Sequence, residues 1–241
     1  MVINTDSETH FSQINSQVRN TLEKEIEING CIGQRYIGTG LSGKKLKING
    51  LPGNALGAYL NGGEITVYGN AQDATGDTMN SGAIIIHGNA GDTTGYEMRG
   101  GKIYIRGNSG YRTGIHMKEY GEHKPIIVIG GRVGSFLGEY QAGGVIVVLG
   151  QHEDDMPIIN NFCGTGMHGG VIYIRCKKLP KVIPDQVSAT VVKGSSVKEL
   201  SDIVNDYCTY FNYDAQELLN ADFTVLKPNS SNPYKQMYTA N

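Results

Sequence analysis

The sequence predicts an all-β fold, a right-handed parallel β-helix of about seven turns with a short N-terminal helix and C-terminal helices. Three observations predict it: an excess of glycine, a glycine that recurs every nineteen residues, and a short alternating strand that follows that glycine in each repeat. The chain has 34 glycines among 241 residues, about twice the usual share. They lack the three-residue period of collagen.

The recurring glycines are expected to be structural corners. They are Gly38, Gly57, Gly76, Gly95, Gly114, Gly138 and Gly164, spaced 19, 19, 19, 19, 24 and 26 residues apart. A nineteen-residue period is too short for tetratricopeptide, ankyrin or propeller repeats, and a left-handed hexapeptide helix would need a period of six. It suits one turn of a parallel β-helix, in which equivalent strands lie about 4.8 Å apart. Glycine at a corner supplies positive φ or a close approach to the next turn.

Two apolar columns are expected to form the interior. The third residue after each corner glycine is Leu or Met in six of seven repeats: Leu41, Leu60, Met79, Met98, Met117, Gln141 and Met167. The predicted inward strand residues are Leu46/Ile48, Ile65/Val67, Ile84/Ile86, Ile103/Ile105, Ile126/Val128, Ile146/Val148 and Ile172/Ile174. Equivalent side chains would stack from turn to turn, so each column would become continuous core.

The predicted outward strand positions change character along the chain. They are mostly polar in the early turns, but Ile127, Ile129, Val147 and Leu149 form an apolar strip. Such a strip needs cover. We expect the C-terminal part of the chain to supply it, with a partner as the alternative.

Three regions are predicted: an N-terminal helix and leading strand (residues 1–29), the repeats (residues 30–176), and a C-terminal strand, helices and extended tail (residues 177–241). Apolar spacing predicts a helix over residues 9–23. Ser196 and Glu199 suggest a capping box for a helix ending near Phe211, and a short helix is expected over residues 214–220. The insertions at residues 119–123 and 152–161 are expected to be surface loops, and whether they bind anything is left open.

The net charge and the composition of the chain exclude several function classes. A net charge of −2 and a pI near 6.3 do not indicate nucleic-acid binding, which a basic surface would favour. No apolar run is long enough to span a bilayer, and the N-terminus has no signal-peptide core. We therefore expect a cytoplasmic protein. Its four cysteines, which form no CxxC pair, are then expected to be free thiols: Cys31, Cys163, Cys176 and Cys208.

Motifs that could carry chemistry are weak, and no catalytic, cofactor-binding or metal-binding residue is predicted. Gly38, Gly40 and Gly43 match G-x-G-x-x-G, but an alternating strand follows them where a dinucleotide site needs a helix. The run from His152 to Asp155 is interpreted as a solvated loop rather than a cation site.

Two further sets of residues have a possible chemical role and a structural alternative. Cys163, His168 and Cys176 have soft-ligand chemistry, but their spacing matches no zinc pattern. His116 and His123 flank an insertion that contains Glu119 and Glu122, where a general base is conceivable. In both sets, a structural or surface role is the favoured interpretation.

The glycines also repeat as G-x-x-G-x-x-x-G, at Gly50/Gly53/Gly57, Gly88/Gly91/Gly95, Gly107/Gly110/Gly114 and Gly131/Gly134/Gly138. With residues 29–43 and the ending from Phe223 to Tyr234, this pattern resembles the GXGXG domain at the C-terminus of the glutamate synthase large subunit. The same domain forms one of the subunits of formylmethanofuran dehydrogenase. The sequence departs from the motif at Gln72 and in the insertion before Gly164.

The resemblance implies a right-handed β-helix without catalytic residues, and a scaffold role in a glutamate-synthase-like oxidoreductase. It implies a glutamine amidotransferase subunit and an FMN-dependent synthase subunit as partners. FMN and iron–sulfur centres are expected in those partners, and no cofactor in this chain. One alternative is a subunit of a formylmethanofuran dehydrogenase or formyltransferase complex. Another is an independent β-helix enzyme or binding module with a groove formed by the insertions. Homo-oligomerisation is left open.

Overall fold

The computed structural model describes residues 1–151, 156–179 and 181–229. The helices are α1 (Phe11–Asn20), α2 (Lys198–Phe211) and α3 (Ala215–Leu219), with a 3₁₀ turn at Gly194–Ser196. The strands are β1 (Val2–Asn4), β2 (Glu25–Ile32), β3 (Lys45–Leu51), β4 (Asn61–Val67), β5 (Ser81–Ile86), β6 (Lys102–Ile105), β7 (Ile126–Ile129), β8 (Ala142–Val148), β9 (Gly169–Ile174), β10 (Val187–Lys193) and β11 (Asp222–Pro228).

The eleven strands of the described residues belong to one sheet. From β1 to β9 they lie side by side in chain order and run parallel, and β11 then lies between β9 and β10, antiparallel to both. Leu46 pairs with Ile65, Ile65 with Ile84, and Ile84 with Ile103, so each partner lies nineteen residues further on. The nineteen-residue register predicted from the sequence is confirmed.

The predicted fold class, an all-β right-handed parallel β-helix of seven turns, is wrong. The structure is a single, mainly parallel sheet with few helices. The physical reason is that each repeat contributes one strand only. The remainder of the repeat is not strand, and it includes a turn segment around the corner glycine, which spans residues 92–97 in the repeat of Gly95.

The turn segments have a backbone that no β-strand shares. In one repeat Thr93, Gly95 and Glu97 have φ of 53°, 72° and 49°, so positive φ recurs at alternate residues. The amide of Thr93 donates to Tyr111 O (2.7 Å) in the next repeat, and that of Gly95 donates to Thr75 O (2.8 Å) in the previous one. The segments are therefore bonded to both neighbours without forming a second sheet.

The inner face of the sheet, the side covered by the turn segments, holds the main core. It combines alternate strand residues such as Ile84 and Ile103 with the Leu and Met column. Arg99 N–H donates to Met79 O (2.8 Å), which places Met79 and Met98 at the same point of neighbouring repeats. α1 contributes Ile14 and Val18 to the first repeats, so it covers that end of the core.

The outer face, the opposite side of the sheet, is covered by α2 and α3. Its buried strand residues include Tyr104, Val128 and Val147, and they pack with Leu200 and Tyr207 of α2. The expectation that the chain's own C-terminal part covers an apolar strip is confirmed.

The composition of that strip was predicted incorrectly in β7. Ile127 pairs with Ile103 and Ile146, so Ile127 and Ile129 lie in the inner core and Val128 lies outward. The insertion before β7 is one residue longer than the glycine count suggested, and a shift of one residue exchanges the two faces of a strand.

The helices agree with the predictions except at their ends. α1 is shorter than residues 9–23, and α3 begins after Asp214, whose side chain accepts a hydrogen bond from Gln216 N–H (2.8 Å). The predicted capping box is wrong: Val197 is the N-cap residue of α2, and the Ser196 hydroxyl donates to Lys193 O (2.7 Å). Of the predicted tail, residues 230–241 lie outside the described residues.

Candidate functional site

The candidate site is a groove along the residues that directly follow the Leu and Met column. Each of these residues donates its N–H to the column residue of the preceding repeat, as in Asn80 to Leu60 O (2.9 Å) and Lys118 to Met98 O (3.0 Å). Successive side chains therefore leave the surface about 4.8 Å apart. We call this set the groove column, and its central members are Asn61, Asn80, Arg99 and Lys118.

The insertion predicted at residues 119–123 forms an overhang beside the groove column. Tyr120 and His123 exchange two backbone hydrogen bonds of 3.0 and 2.9 Å, which closes a tight hairpin. Two glycines let the hairpin lie against the repeats. A Cβ at Gly100 would stand 3.1 Å from the Cβ of His123, and one at Gly143 would stand 2.5 Å from the Cγ of Glu119.

Overhang and groove column together enclose a cavity of about 610 Å³, lined by Asn61, Asn80, Arg99, Lys118, Tyr120 and His123. This lining contains two cations and no carboxylate. Within the described part of the chain, neither Arg99 nor Lys118 forms an ion pair. The lining of this cavity therefore carries net positive charge, from two side chains that can only donate hydrogen bonds.

A second, smaller groove of about 340 Å³ adjoins the first, and Arg99 and Lys118 line both. Two of its lining side chains, His116 and Tyr140, are stacked rings. The ring of His116 stacks on that of Tyr140, with centroids 5.1 Å apart and planes 12° apart. Glu97 and His168 also line it, so this groove contains a carboxylate beside the two cations, and the His168 Nδ1 lies 3.1 Å from Gly166 O.

The structure separates the residues for which general-base chemistry is conceivable. His116 lies in the smaller groove and His123 in the larger one. The Glu119 carboxylate accepts a hydrogen bond from Gly144 N–H (3.1 Å), which holds the base of the hairpin.

The possible metal-ligand sets are placed as follows. Cys163 is buried in the inner core, and Cys176 is half-buried beside Thr224. Burial, with Cys176 nearby, raises the pKa of Cys163 to about 12, so that thiol stays protonated at neutral pH. No group of three or more His, Cys, Asp or Glu among the described residues could hold a metal ion. Residues 152–155 lie outside the described residues.

The seven predicted corner glycines all have positive φ, between 63° and 72°. A Cβ at Gly38 or Gly57 would stand 2.7 Å from the Cδ1 of a core Ile, and a Cβ at Gly95 would overlap the Cδ1 of Ile127. Gly164 has more space, since its nearest neighbour would be Val187 at 3.3 Å. The glycines of the G-x-G-x-x-G match are followed by β3 and not by a helix, as the alternation predicted.

Comparison with protein families gives a match to the GXGXG motif family over residues 3–230. The chain belongs to the GXGXG motif family. A relative in Methanocaldococcus jannaschii, uncharacterized protein MJ1350, is 39% identical over 247 aligned residues, which cover 95% of this chain and 93% of the relative.

A solved structure shares the fold of this GXGXG protein. It is the formyltransferase/hydrolase complex (FhcABCD) from Methylorubrum extorquens, determined in complex with methylofuran. The TM-score is 0.64 at 20% identity, covering 84% of this chain and 72% of that one. In the described part of this GXGXG chain, no helix is long and apolar enough to cross a membrane.

Sequence reasoning allowed for a groove formed by the insertions but did not identify the residues of the repeats that line the larger groove of this GXGXG protein. The available signal was Arg99 and Lys118, two basic residues at the same position of successive repeats, directly after Met98 and Met117. The overhang could not be foreseen, because the contacts at Gly100 and Gly143 depend on how the hairpin folds back.

Proposed function

We propose that this chain is a non-catalytic scaffold subunit of a formylmethanofuran dehydrogenase or formyltransferase complex. The observation that carries the proposal is its fold, which it shares over 84% of its length with a chain of a formyltransferase/hydrolase complex. Membership of the GXGXG motif family supports the same conclusion, since the glycine pattern of this chain also resembles a subunit of formylmethanofuran dehydrogenase.

The hydrogen bonding between repeats is suited to a scaffold. Each repeat is bonded to its neighbours through its strand and through its turn segment, so relative movement of repeats would break many bonds at once. A rigid subunit of this kind can hold partner active sites at fixed separation, and fixed geometry is what efficient transfer between sites requires.

An exposed aromatic patch on the turn segments offers a docking surface. Phe136 and Phe162 stack with centroids 4.8 Å apart, and the Arg112 guanidinium lies 4.9 Å above the Phe136 ring. Phe162 is 55% exposed. Aromatic and arginine side chains are enriched at protein interfaces, so this patch is our candidate for contact with a partner subunit.

A glutamate-synthase-like complex is the second candidate. The G-x-x-G-x-x-x-G spacing favours it, because it resembles the domain found in the glutamate synthase large subunit. The partners would then be an amidotransferase subunit and an FMN-dependent synthase subunit. In both cases the cofactors would belong to the partners, and we expect the purified chain to show no flavin absorbance and no glutaminase activity.

Purification of the tagged chain from its native host, with mass-spectrometric identification of stoichiometric partners, tests the proposal. Formyltransferase, hydrolase or dehydrogenase subunits would support it, and amidotransferase and FMN-synthase subunits would favour the second candidate. Recovery of the chain without partners would contradict both. Phe162→Asp should release the partners, whereas Tyr68→Ala, which removes an exposed ring elsewhere, should retain them.

A further inference from the structure

We propose that the groove over Arg99 and Lys118 binds a small molecule that carries a phosphate group and a flat ring. A scaffold role requires no ligand, so this inference goes beyond the proposed function and can fail independently of it. It rests on the charge of the cavity, the spacing of its cations, its volume and the ring of Tyr120.

Two of the six side chains that line the cavity are cationic donors. Arg99 and Lys118 can only donate. The Asn61 Oδ1 accepts a hydrogen bond from the Ser81 hydroxyl (3.1 Å), and the Asn80 amide N–H₂ donates to Thr78 O (3.2 Å). The amide nitrogen of Asn61 and the amide oxygen of Asn80 therefore have no other hydrogen bond among the described residues. A ligand that pairs with Arg99 and Lys118 must therefore supply acceptor oxygens.

The spacing of the cations favours phosphate over carboxylate. Arg99 and Lys118 occupy the same position of adjacent repeats, whose hydrogen-bonded backbones lie about 4.8 Å apart. Their charged ends can therefore reach one anionic group. A phosphate monoester offers three terminal oxygens and up to two negative charges, whereas a carboxylate offers two oxygens and one charge. An arginine fork beside a lysine point charge is a typical phosphate-binding pair.

The cavity is larger than phosphate alone requires. Its volume of about 610 Å³ lies within the range of pockets that hold small organic ligands. Tyr120 stands at its rim, is 74% exposed, and stacks on no other ring among the described residues. Its ring provides a surface on which a flat group of the ligand can stack.

Isothermal titration of the purified full chain tests the proposal with four small molecules and, as a fifth probe, a short Asp- and Glu-rich peptide. AMP carries both a phosphate group and a flat ring. Inorganic phosphate carries no ring, adenosine carries the ring without the phosphate, and succinate carries two carboxylates instead. We expect AMP to bind more tightly than each of the other four probes. Added salt should weaken binding of AMP and phosphate but not of adenosine.

Substitutions locate the binding. The double variant Arg99→Gln/Lys118→Gln should bind AMP at least about tenfold more weakly, because each residue contributes a charge-assisted hydrogen bond. Both side chains are exposed, so the fold should be retained, and circular dichroism checks this. Arg35→Gln, which removes an exposed arginine outside both grooves, is the matched control and should bind like wild type. Tyr120→Ala should weaken the binding of AMP and leave the binding of inorganic phosphate unchanged.

Three results would overturn the proposal. One is the absence of AMP and phosphate binding at millimolar concentrations. Another is equal AMP affinity in the double variant and in Arg35→Gln. The third is tighter binding of succinate, or of a short Asp- and Glu-rich peptide, than of AMP. The peptide result would assign the groove to an acidic segment of a partner protein.

Discussion

The inner face of the sheet packs against the turn segments of its own repeats, whereas the outer face packs against two helices from the far end of the chain. Ile84 and Ile103 on the inner face are fully buried by residues that recur with the same period. Tyr104 on the outer face is as well buried, and its hydroxyl donates to Asp206 (2.6 Å), 102 residues away. Equal burial is thus reached by repetition on one face and by a long-range contact on the other.

The inner face should be the less tolerant of the two, and Gly95→Val should give the largest loss of stability. The residue has φ of 72°, where a β-branched side chain is strained, and its Cβ would overlap Ile127 in the next repeat. We expect the free energy of unfolding in urea to fall by about 2 to 5 kcal/mol. Gly121→Ala is the control, with positive φ (57°) and no neighbour within 4 Å, and should cost about 1 kcal/mol. Equal losses would show that stacking adds nothing at Gly95.

A substitution in α2 should lower the stability of the outer face without lowering that of the inner face. Leu200 of α2 is fully buried against the sheet, and Leu200→Ala should lower local stability by about 2 to 3 kcal/mol through lost packing. In hydrogen exchange, amides of α2 should exchange faster while those of β4 and β5 stay protected, since no α2 residue belongs to the inner core. Equal loss of protection in all three elements would mean that the two faces form one cooperative unit.

The ion pair at Asp206 should give the smallest effect, and one that depends on pH. Burial opposes ionisation of this carboxyl group, but hydrogen bonds from Lys102 (2.5 Å) and Tyr104 (2.6 Å) outweigh it and hold its pKa below the ordinary 3.8. A lowered pKa stabilises the fold above pH 3.8, and this stabilisation is lost as the pH falls through the folded-state value. Because the side chains of Lys102 and Asp206 are both partly exposed, Asp206→Asn should cost less than about 1 kcal/mol at pH 7.

Chemical denaturation of wild type and Asp206→Asn from about pH 7 to about pH 2.5 measures this difference. The difference in free energy of unfolding between wild type and Asp206→Asn should disappear below pH 3.8. Lys198→Gln, which removes an exposed pair with Asp202 on the solvent side of α2, should show a much smaller gap throughout. A gap at Asp206 that does not change with pH would remove the ion pair as its cause.

The sequence allowed the inner face to be predicted because its information is local and repeated. Gly76, Gly95 and Gly114 are nineteen residues apart, and the paired strands keep that register. The fold class was missed because alternation marks one strand per repeat, and nothing in the spacing shows that residues such as Thr93 and Glu97 adopt positive φ. The period of a repeat therefore predicts which residues are neighbours more reliably than it predicts the backbone conformation between the strands.

The outer face and the candidate groove depend on contacts that spacing does not encode. A one-residue error in the insertion before β7 exchanged Ile127 with Val128, since side chains alternate along a strand. The contact between Lys102 and Asp206 and the fold-back of the hairpin over Gly100 both arise in three dimensions. The basic pair in the groove was visible in the sequence, but its enclosure was not.

The central claim is that residues nineteen apart are direct neighbours across parallel strands, and a disulfide test addresses it most directly. Lys47 pairs with Thr66, so Lys47→Cys/Thr66→Cys places two cysteines about 4.8 Å apart on the outer face, within disulfide reach. The account predicts an intramolecular disulfide on mild oxidation of this variant. It predicts none in Lys47→Cys/Glu64→Cys, where Glu64 is the partner of Lys45. Crosslinking in the second variant and not in the first would contradict the register on which the fold, the groove and the proposed function rest.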